Sequence, residues 1–199
     1  KAQTIKQRSD KVYNELKHAS AIRTIELLNE LTLYRLSDSI DRADFLALKA
    51  VEKSRIIRNP EILTKSLVNL SSILVSRNQP DSALTFLREA EVLLKKHSFT
   101  EQQGMFYYVL GRALLSKKQY PESLTALNKG IKNAEHQKDD LLLGRLYLSK
   151  ANVYKQLNQK QNLLSSITKS DQYLNKADNP LIVGPHLLGL GVHYADMLQ

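Results

Sequence analysis

Histidines are the side chains in this sequence best suited to acid–base or metal chemistry, but their spacing does not form a site. Three of them lie at predicted helix ends, where a partly cationic imidazole interacts favourably with the helix dipole: His18, His97 and His136. The other two, His186 and His193, are seven residues apart with no carboxylate between them, which is not the spacing of a helical zinc motif. The histidines therefore indicate neither a catalytic base nor a metal site.

Two other short motifs could suggest chemistry. Asp139-Asp140 could form an acid pair, but an apolar helical run follows it, and helix capping explains both carboxylates. Gly189-Leu190-Gly191 has no preceding strand, so it is not a dinucleotide-binding fingerprint. The chain has no Cys, which excludes disulfides, thiolate metal ligands and cysteine nucleophiles. We therefore expect no enzymatic activity, no cofactor and no metal.

The chain is basic, with a formal charge of +9 over 199 residues. This excess favours acidic partners, although the lysines are scattered, as is typical of a solvated helical surface. The longest apolar run, residues 180–198, contains Pro185 and Asp196 and is a poor candidate for a membrane span. No signal-peptide pattern is visible, and the chain does not begin with Met, so we expect a segment of a longer protein.

A 40-residue repeat organises the sequence. One column is small in most units: Leu31, Ser71, Gly111, Ala151 and Gly191. A second column is large throughout: Leu27, Leu67, Tyr107, Tyr147 and Leu187. Asn59-Pro60, which suits a helix start, recurs as Asn179-Pro180. Each unit therefore predicts two helices of roughly 16 to 18 residues joined by short turns, with glycines at close helix contacts.

The third unit resembles a tetratricopeptide repeat. Its matching residues are Tyr107, Leu110, Gly111, Tyr120 and Leu127, with Ser123 and Gly130 where Ala is usual. The resemblance covers residues 21–199, as four full units and the first helix of a fifth, and leaves 1–20 as a capping helix or degenerate repeat. It implies an all-α, right-handed superhelical solenoid of antiparallel helix pairs. Lys150 and Leu163 depart from the pattern, so we expect different packing in the fourth unit.

The resemblance also implies a ligand groove lined by the first helix of each pair. Carried onto this sequence, the family's groove positions include Arg35, Lys65, Ser72, Tyr108, Arg112, Arg145, Asn152 and Lys155. Since the charged residues among these positions are all basic, we expect a peptide or protein ligand with acidic or carboxylate groups. Leu28, Val68 and Leu148 occupy the lysine column of the family's chaperone-tail clamp, so we expect no such clamp despite Asn69 and Asn152.

Three functional settings remain open. The long period and the Lys-, Leu- and Asn-rich composition resemble periplasmic sensory regions of Bacteroides-type transcriptional regulators and sensor kinases. We prefer this interpretation. The alternatives are the receptor region of a cytoplasmic signalling-peptide regulator and a plain assembly scaffold. We expect no nucleic-acid binding, because the basic residues do not form one stripe with interleaved aromatics. We also expect no membrane insertion by this region, and the array ends could support oligomers.

Overall fold

The computed structural model describes residues 5–16, 18–35, 40–97 and 100–177. In these ranges the regular secondary structure is entirely α-helical, which confirms the predicted all-α class. The helices are α1 (Ile5–Leu16), α2 (Ala21–Arg35), α3 (Ile40–Ile57), α4 (Pro60–Ser76), α5 (Pro80–His97), α6 (Thr100–Ser116), α7 (Tyr120–Gln137), α8 (Asp140–Gln156) and α9 (Lys160–Lys176). The predicted fifth unit, with Gly184, His186 and His193, lies outside the described residues.

The helix starts follow the capping chemistry expected from the sequence. Asn59 Oδ1 accepts hydrogen bonds from the backbone N–H groups of Glu61 and Ile62, at 3.1 and 3.2 Å, and Pro60 is the first residue of α4. Asp139 Oδ1 accepts from the N–H of Leu142 at 2.9 Å at the start of α8. These contacts satisfy donors that a helix start leaves without partners, so the paired-aspartate motif has a structural role.

Left-handed residues follow five of the described helices, at intervals of 20 or 40 residues. The turn residues with positive φ, between 54° and 59°, are Arg58, Asn78, Lys118, Lys138 and Asn158. After α4, the N–H of Asn78 donates to Val75 O at 3.0 Å, and the N–H of Gln79 donates to Leu74 O at 2.8 Å. Such paired bonds close a helix on a left-handed residue. Each 40-residue unit therefore consists of two halves, each a helix followed by a turn. The glycine positions alone did not reveal this division.

The chain divides into two compact units, residues 1–102 and 103–199. In the first, α1 packs on α2, and α2 to α5 pack in sequence order. Val12 from α1 is buried in a core cluster with Ile25 and Leu28 of α2 and Leu46 of α3, and Leu16 packs against it. Helix α1 thus packs against the first helix pair through Val12 and Leu16.

A chain of buried hydrogen bonds crosses α2, α3 and α4. Asn69 Nδ2 donates to Asn29 Oδ1 at 3.0 Å, and Asn29 Nδ2 donates to Ser66 Oγ at 3.0 Å. Ser54 Oγ lies 2.9 Å from Ser66 Oγ and donates to Ala50 O at 2.6 Å. Since the one hydroxyl proton of Ser54 goes to Ala50, Ser66 must donate to Ser54. Asn29 and Asn69 are one period apart, so the repeat places them in equivalent positions of neighbouring first helices.

In the second unit, α6 and α7 approach closely where their side chains are small. Ser123 Oγ donates to Gly111 O at 2.7 Å, and Ser123 is fully buried. A Cβ atom on Gly111 would lie 2.6 Å from both Cγ and Cδ2 of Leu127. The predicted role of Gly111 as a helix contact is therefore confirmed, and the serine at the family's alanine position adds a hydrogen bond between the helices.

The α8–α9 pair makes a similar glycine–serine contact, but at other positions of the repeat. Ser170 Oγ donates to Gly144 O at 2.8 Å, and a Cβ on Gly144 would lie 2.6 Å from Cγ and Cδ2 of Leu174. Leu163, where the family usually has Ala, is buried in a cluster with Ala151 and Ile167. The larger side chain is therefore part of the core of this pair.

We expect Gly111→Ala to lower the free energy of unfolding by about 1–2 kcal/mol, measured by chemical denaturation. Alanine favours a helix by about 1 kcal/mol, but overpacking against Leu127 costs about 1–3 kcal/mol. Gly104→Ala is the matched control, since its Cβ would meet only the flexible end of Leu142, at 2.9 Å. Equal stability of the two variants would contradict the close-contact explanation.

We also expect Asn29→Leu and Asn69→Leu each to cost about 1–3 kcal/mol, because each leaves buried polar partners without a hydrogen bond. The double variant should be less destabilised than the sum by about 1 kcal/mol, since one hydrogen bond is lost in both. Asn14→Leu, at an exposed position of α1, is the control and should change stability by less than about 0.5 kcal/mol. Additive effects would show that the amide–amide hydrogen bond contributes nothing.

Candidate functional site

The first helices of the second unit bring part of the predicted groove together. A surface cleft of about 260 Å³ is lined by Leu115, Ser116, Lys118, Tyr120, Asn152 and Gln156. Its walls come from the C-terminal turns of α6 and α8, and the first residue of α7 closes one side. Asn152 is therefore a wall residue of a cleft, as its position in the repeat indicated.

Three of the five predicted cations lie on the helices that form this cleft. Arg112 is three residues before Leu115 on α6, and Lys155 is three residues after Asn152 on α8. Residues three apart share a helix face, and Arg145, seven before Asn152, falls on that face as well. Arg112 and Arg145 are partly buried, while Lys155 is exposed.

The surroundings of the cleft carry a single sign of charge. Residues 111–120 and 145–156 supply its lining and contain no acidic residue. Of their six basic residues, Lys150 lies on the opposite face of α8, which leaves five on the side of the cleft. Lysines in a last helical turn also interact favourably with the helix dipole, as Lys155 does at the end of α8. These side chains have the chemistry to bind an anion beside an apolar wall.

Tyr108 differs from the expectation that its ring faces the groove. The residue is only 6% exposed, and the guanidinium carbon of Arg112 lies 5.5 Å from the ring centroid. The aromatic ring is packed into the unit because it is large and apolar, and the arginine lies over its face. Tyr108 therefore helps to position Arg112 and offers a ligand little surface of its own.

In the first unit the predicted groove residues do not form a described site. Lys65 is exposed on α4 and Ser72 is half-buried there, whereas Arg35 is the last residue of α2 and its side chain lies outside the described part. Asn69, which a carboxylate clamp would present to a ligand, is buried in the hydrogen-bond chain with Asn29. The absence of a chaperone-tail clamp stays a prediction.

The opposite face of α8 carries a cluster of lysines and tyrosines that sequence reasoning did not assign to function. The rings of Tyr147 and Tyr173 stack with centroids 5.7 Å apart and planes at 4°. The Nζ atoms of Lys150 and Lys169 lie 5.7 and 5.2 Å from the Tyr147 centroid. Lys150 also lies 5.9 Å from the ring centroid of Tyr154. We name these five residues the tyrosine–lysine cluster.

Burial and neighbouring charges shift pKa values in the tyrosine–lysine cluster. Desolvation lowers the pKa of Lys150 below the ordinary value of 10.5, and repulsion from Lys169 lowers it further. Desolvation likewise raises the pKa of Tyr147, with smaller contributions from Glu135 and Tyr173. The signal in the sequence was Lys150 in a leucine column, which predicted altered packing but not a paired lysine, because Lys169 belongs to another helix.

Comparison with known proteins supports the fold of this chain but does not establish its function. No protein-family model matches the chain. No curated protein matches it either. The structure is similar to PlcR of Bacillus thuringiensis, crystallised in complex with the peptide PapR7 and DNA, with a TM-score of 0.74 and 17% identity over 94% of this chain and 68% of that chain.

A second similar structure is BtubC of P. vanneervenii, with a TM-score of 0.67 and 13% identity over 96% of this chain and 80% of that chain. Together with the helix pairs, these likenesses show a tetratricopeptide-like helical solenoid fold. Within the described ranges, no group of three or more His, Asp or Glu side chains is placed to hold a metal ion. None of the described helices is both long and apolar enough to cross a membrane.

We expect the pKa of Lys150 to lie below 10.5 and to rise in Lys169→Gln, because that substitution removes the repelling ammonium group. In that variant the pKa of Lys150 should still lie below 10.5, since burial lowers it more than Lys169 does. The measurement is an NMR pH titration of the lysine Cε resonances. Lys132→Gln, at an exposed position of α7, is the control, and an equal effect of both variants would contradict a specific Lys150–Lys169 interaction.

Proposed function

We propose that this chain is a non-catalytic peptide-binding module, and that the cleft between the C-terminal turns of α6 and α8 takes an acidic or carboxylate-bearing peptide. The observation that carries the proposal is the cleft itself, with Asn152 in its wall and only basic charge in the segments that form it. No other described feature combines a concave surface with polar side chains at predicted groove positions.

The cleft offers the contacts that an extended peptide needs. Leu115 and the ring of Tyr120 provide apolar surface, and the Asn152 amide can both donate to and accept from a peptide backbone. Lys118, held in a left-handed turn, brings an ammonium group to the rim. Anionic groups of the peptide would then meet Arg112, Arg145 or Lys155 on the same helix faces.

A regulatory role is the second part of this proposal. PlcR, which shares the fold, was crystallised with a peptide and DNA, and this supports peptide recognition over a plain scaffold. We propose that the chain is the sensory or regulatory region of a larger signalling or transcription-regulating protein. The periplasmic setting and the cytoplasmic peptide-receptor setting are both compatible with this proposal, and a membrane helix or DNA-binding module in the full-length protein distinguishes them.

We expect the chain to select acidic sequences from an immobilised library of ten-residue peptides. Arg112→Glu/Arg145→Glu should weaken binding of the selected peptides by at least about tenfold, because both cations become repulsive. Added salt should weaken binding by the wild-type chain. Fluorescence anisotropy with labelled peptides measures both effects.

The matched control is Lys132→Glu/Lys160→Glu, which changes the net charge equally at exposed positions outside the cleft lining. This variant should bind with an affinity within about threefold of the wild type if local charge matters more than net charge. If every selected peptide binds the arginine variant as tightly as the wild type, the cleft is not the site. Circular dichroism confirms that both variants are folded.

A further inference from the structure

The tyrosine–lysine cluster lies on the face of α8 that points away from the cleft. Successive residues of a helix are about 100° apart, so Tyr147, Lys150 and Tyr154 are centred roughly opposite Arg145 and Asn152. A ligand on this face would not touch the cleft. The cluster therefore has to be explained independently of the proposed peptide site.

The preceding helix pair, α6–α7, carries a related cleft at the equivalent positions. A surface cleft of about 290 Å³ between α6 and α7 is lined by Tyr107, Leu110, Leu114, Pro121, Glu122, Thr125, Ala126 and Lys129. In it, Lys129 Nζ lies 5.6 Å from the Tyr107 ring centroid. Forty residues later, Lys169 occupies the equivalent position over Tyr147, at 5.2 Å.

Two differences between the pairs change the charge of this face. Lys150 stands where the earlier pair has Leu110, and Asn162 stands where it has Glu122. The apolar wall of the α8–α9 pair therefore carries an additional cation, and the carboxylate of the α6–α7 pair is absent from it. A second ammonium group placed in a leucine position costs desolvation free energy that a hydrogen bond or an opposite charge would compensate.

The described residues provide only part of that compensation. Lys150 Nζ donates one hydrogen bond to Asn128 Oδ1 of α7 at 2.9 Å, and an ammonium group has three protons to donate. Lys169 is its charged neighbour and repels it. Lys176, over the Tyr173 ring at 5.4 Å, adds a third cation at the stacked rings.

Acidic groups near the cluster are few among the described residues. Glu135 of α7 raises the pKa of the Tyr147 hydroxyl group, although burial is the larger cause. Asp171 follows Lys169 by two residues, which places it on the far side of α9. The local charge is therefore positive and converges on one aromatic ring from two helices.

We propose that Lys150 and Lys169 form a binding site for a compact, doubly charged oxyanion, such as a phosphate group, on the α8–α9 face opposite the cleft. The two ammonium groups reach the anion from different helices, and the Asn128 amide keeps Lys150 in place. The Tyr147–Tyr173 stack forms an apolar floor that strengthens the charge–charge attraction by excluding water. A singly charged group neutralises only one of the two lysines.

Inorganic phosphate is the probe, added at about pH 8 to the chain labelled for lysine Cε NMR. We expect saturable shifts of the Lys150 and Lys169 signals, with a dissociation constant on the order of 1 mM. Lys169→Gln, at an exposed position, should weaken binding by about tenfold through loss of one charge-assisted hydrogen bond. Lys150→Leu, which restores the residue of the preceding pair, should abolish it.

Lys129→Gln is the matched control, since Lys129 lies over the equivalent ring without a second lysine, and phosphate affinity should be unchanged. Acetate should bind at least about tenfold more weakly than phosphate, because it carries one charge. Equal affinity for the two anions would overturn the paired-lysine site. Equal phosphate affinity of Lys150→Leu and the wild type would also overturn it. So would chemical shifts that change linearly with phosphate concentration at every lysine. Thermal unfolding checks that each variant is folded.

Discussion

Close contact between paired helices is the constraint on which the rest of the structure depends. A 17- or 18-residue helix with an apolar stripe must bury it against a neighbour, and small residues set the distance at which this happens. Gly111 and Gly144 leave no room for a Cβ beside Leu127 and Leu174, and buried serines link the same helices by hydrogen bonds. Because each pair is fixed in this way, the remaining faces of the first helices stay available for ligands.

Polar groups inside the first unit add specificity to this packing. The chain from Asn69 through Asn29, Ser66 and Ser54 to Ala50 uses each serine hydroxyl proton once, and it joins three helices. A shift of one helix along another would leave these buried groups without partners, which costs more than the hydrogen bonds themselves contribute. The equivalent positions in the second unit are Val109 and Ser149, so the two units solve the same packing problem differently.

The repeat period made the helix pairs, their capping residues and the small contact positions predictable, because all three follow from local chemistry. The left-handed turn residues escaped prediction, since Lys118 and Lys138 are not glycines and carry no turn signal. The lining of the cleft was predictable only in part. Asn152 follows from its column, whereas Lys118 reaches the cleft from a turn and Tyr120 from the first position of α7. The pairing of Lys150 with Lys169 depends on the distance between two helices, which periodicity does not provide.

NMR chemical-shift mapping on the labelled chain tests the central claim, that α8 presents a peptide-binding face and an anion-binding face on opposite sides. The tightest peptide from the acidic library should shift backbone amides in the last turns of α6 and α8, around Leu115 and Asn152. The same titration should leave the signals of Lys150 and Lys169 unchanged. Shifts confined to the first unit, or centred on the tyrosine–lysine cluster, would contradict the account.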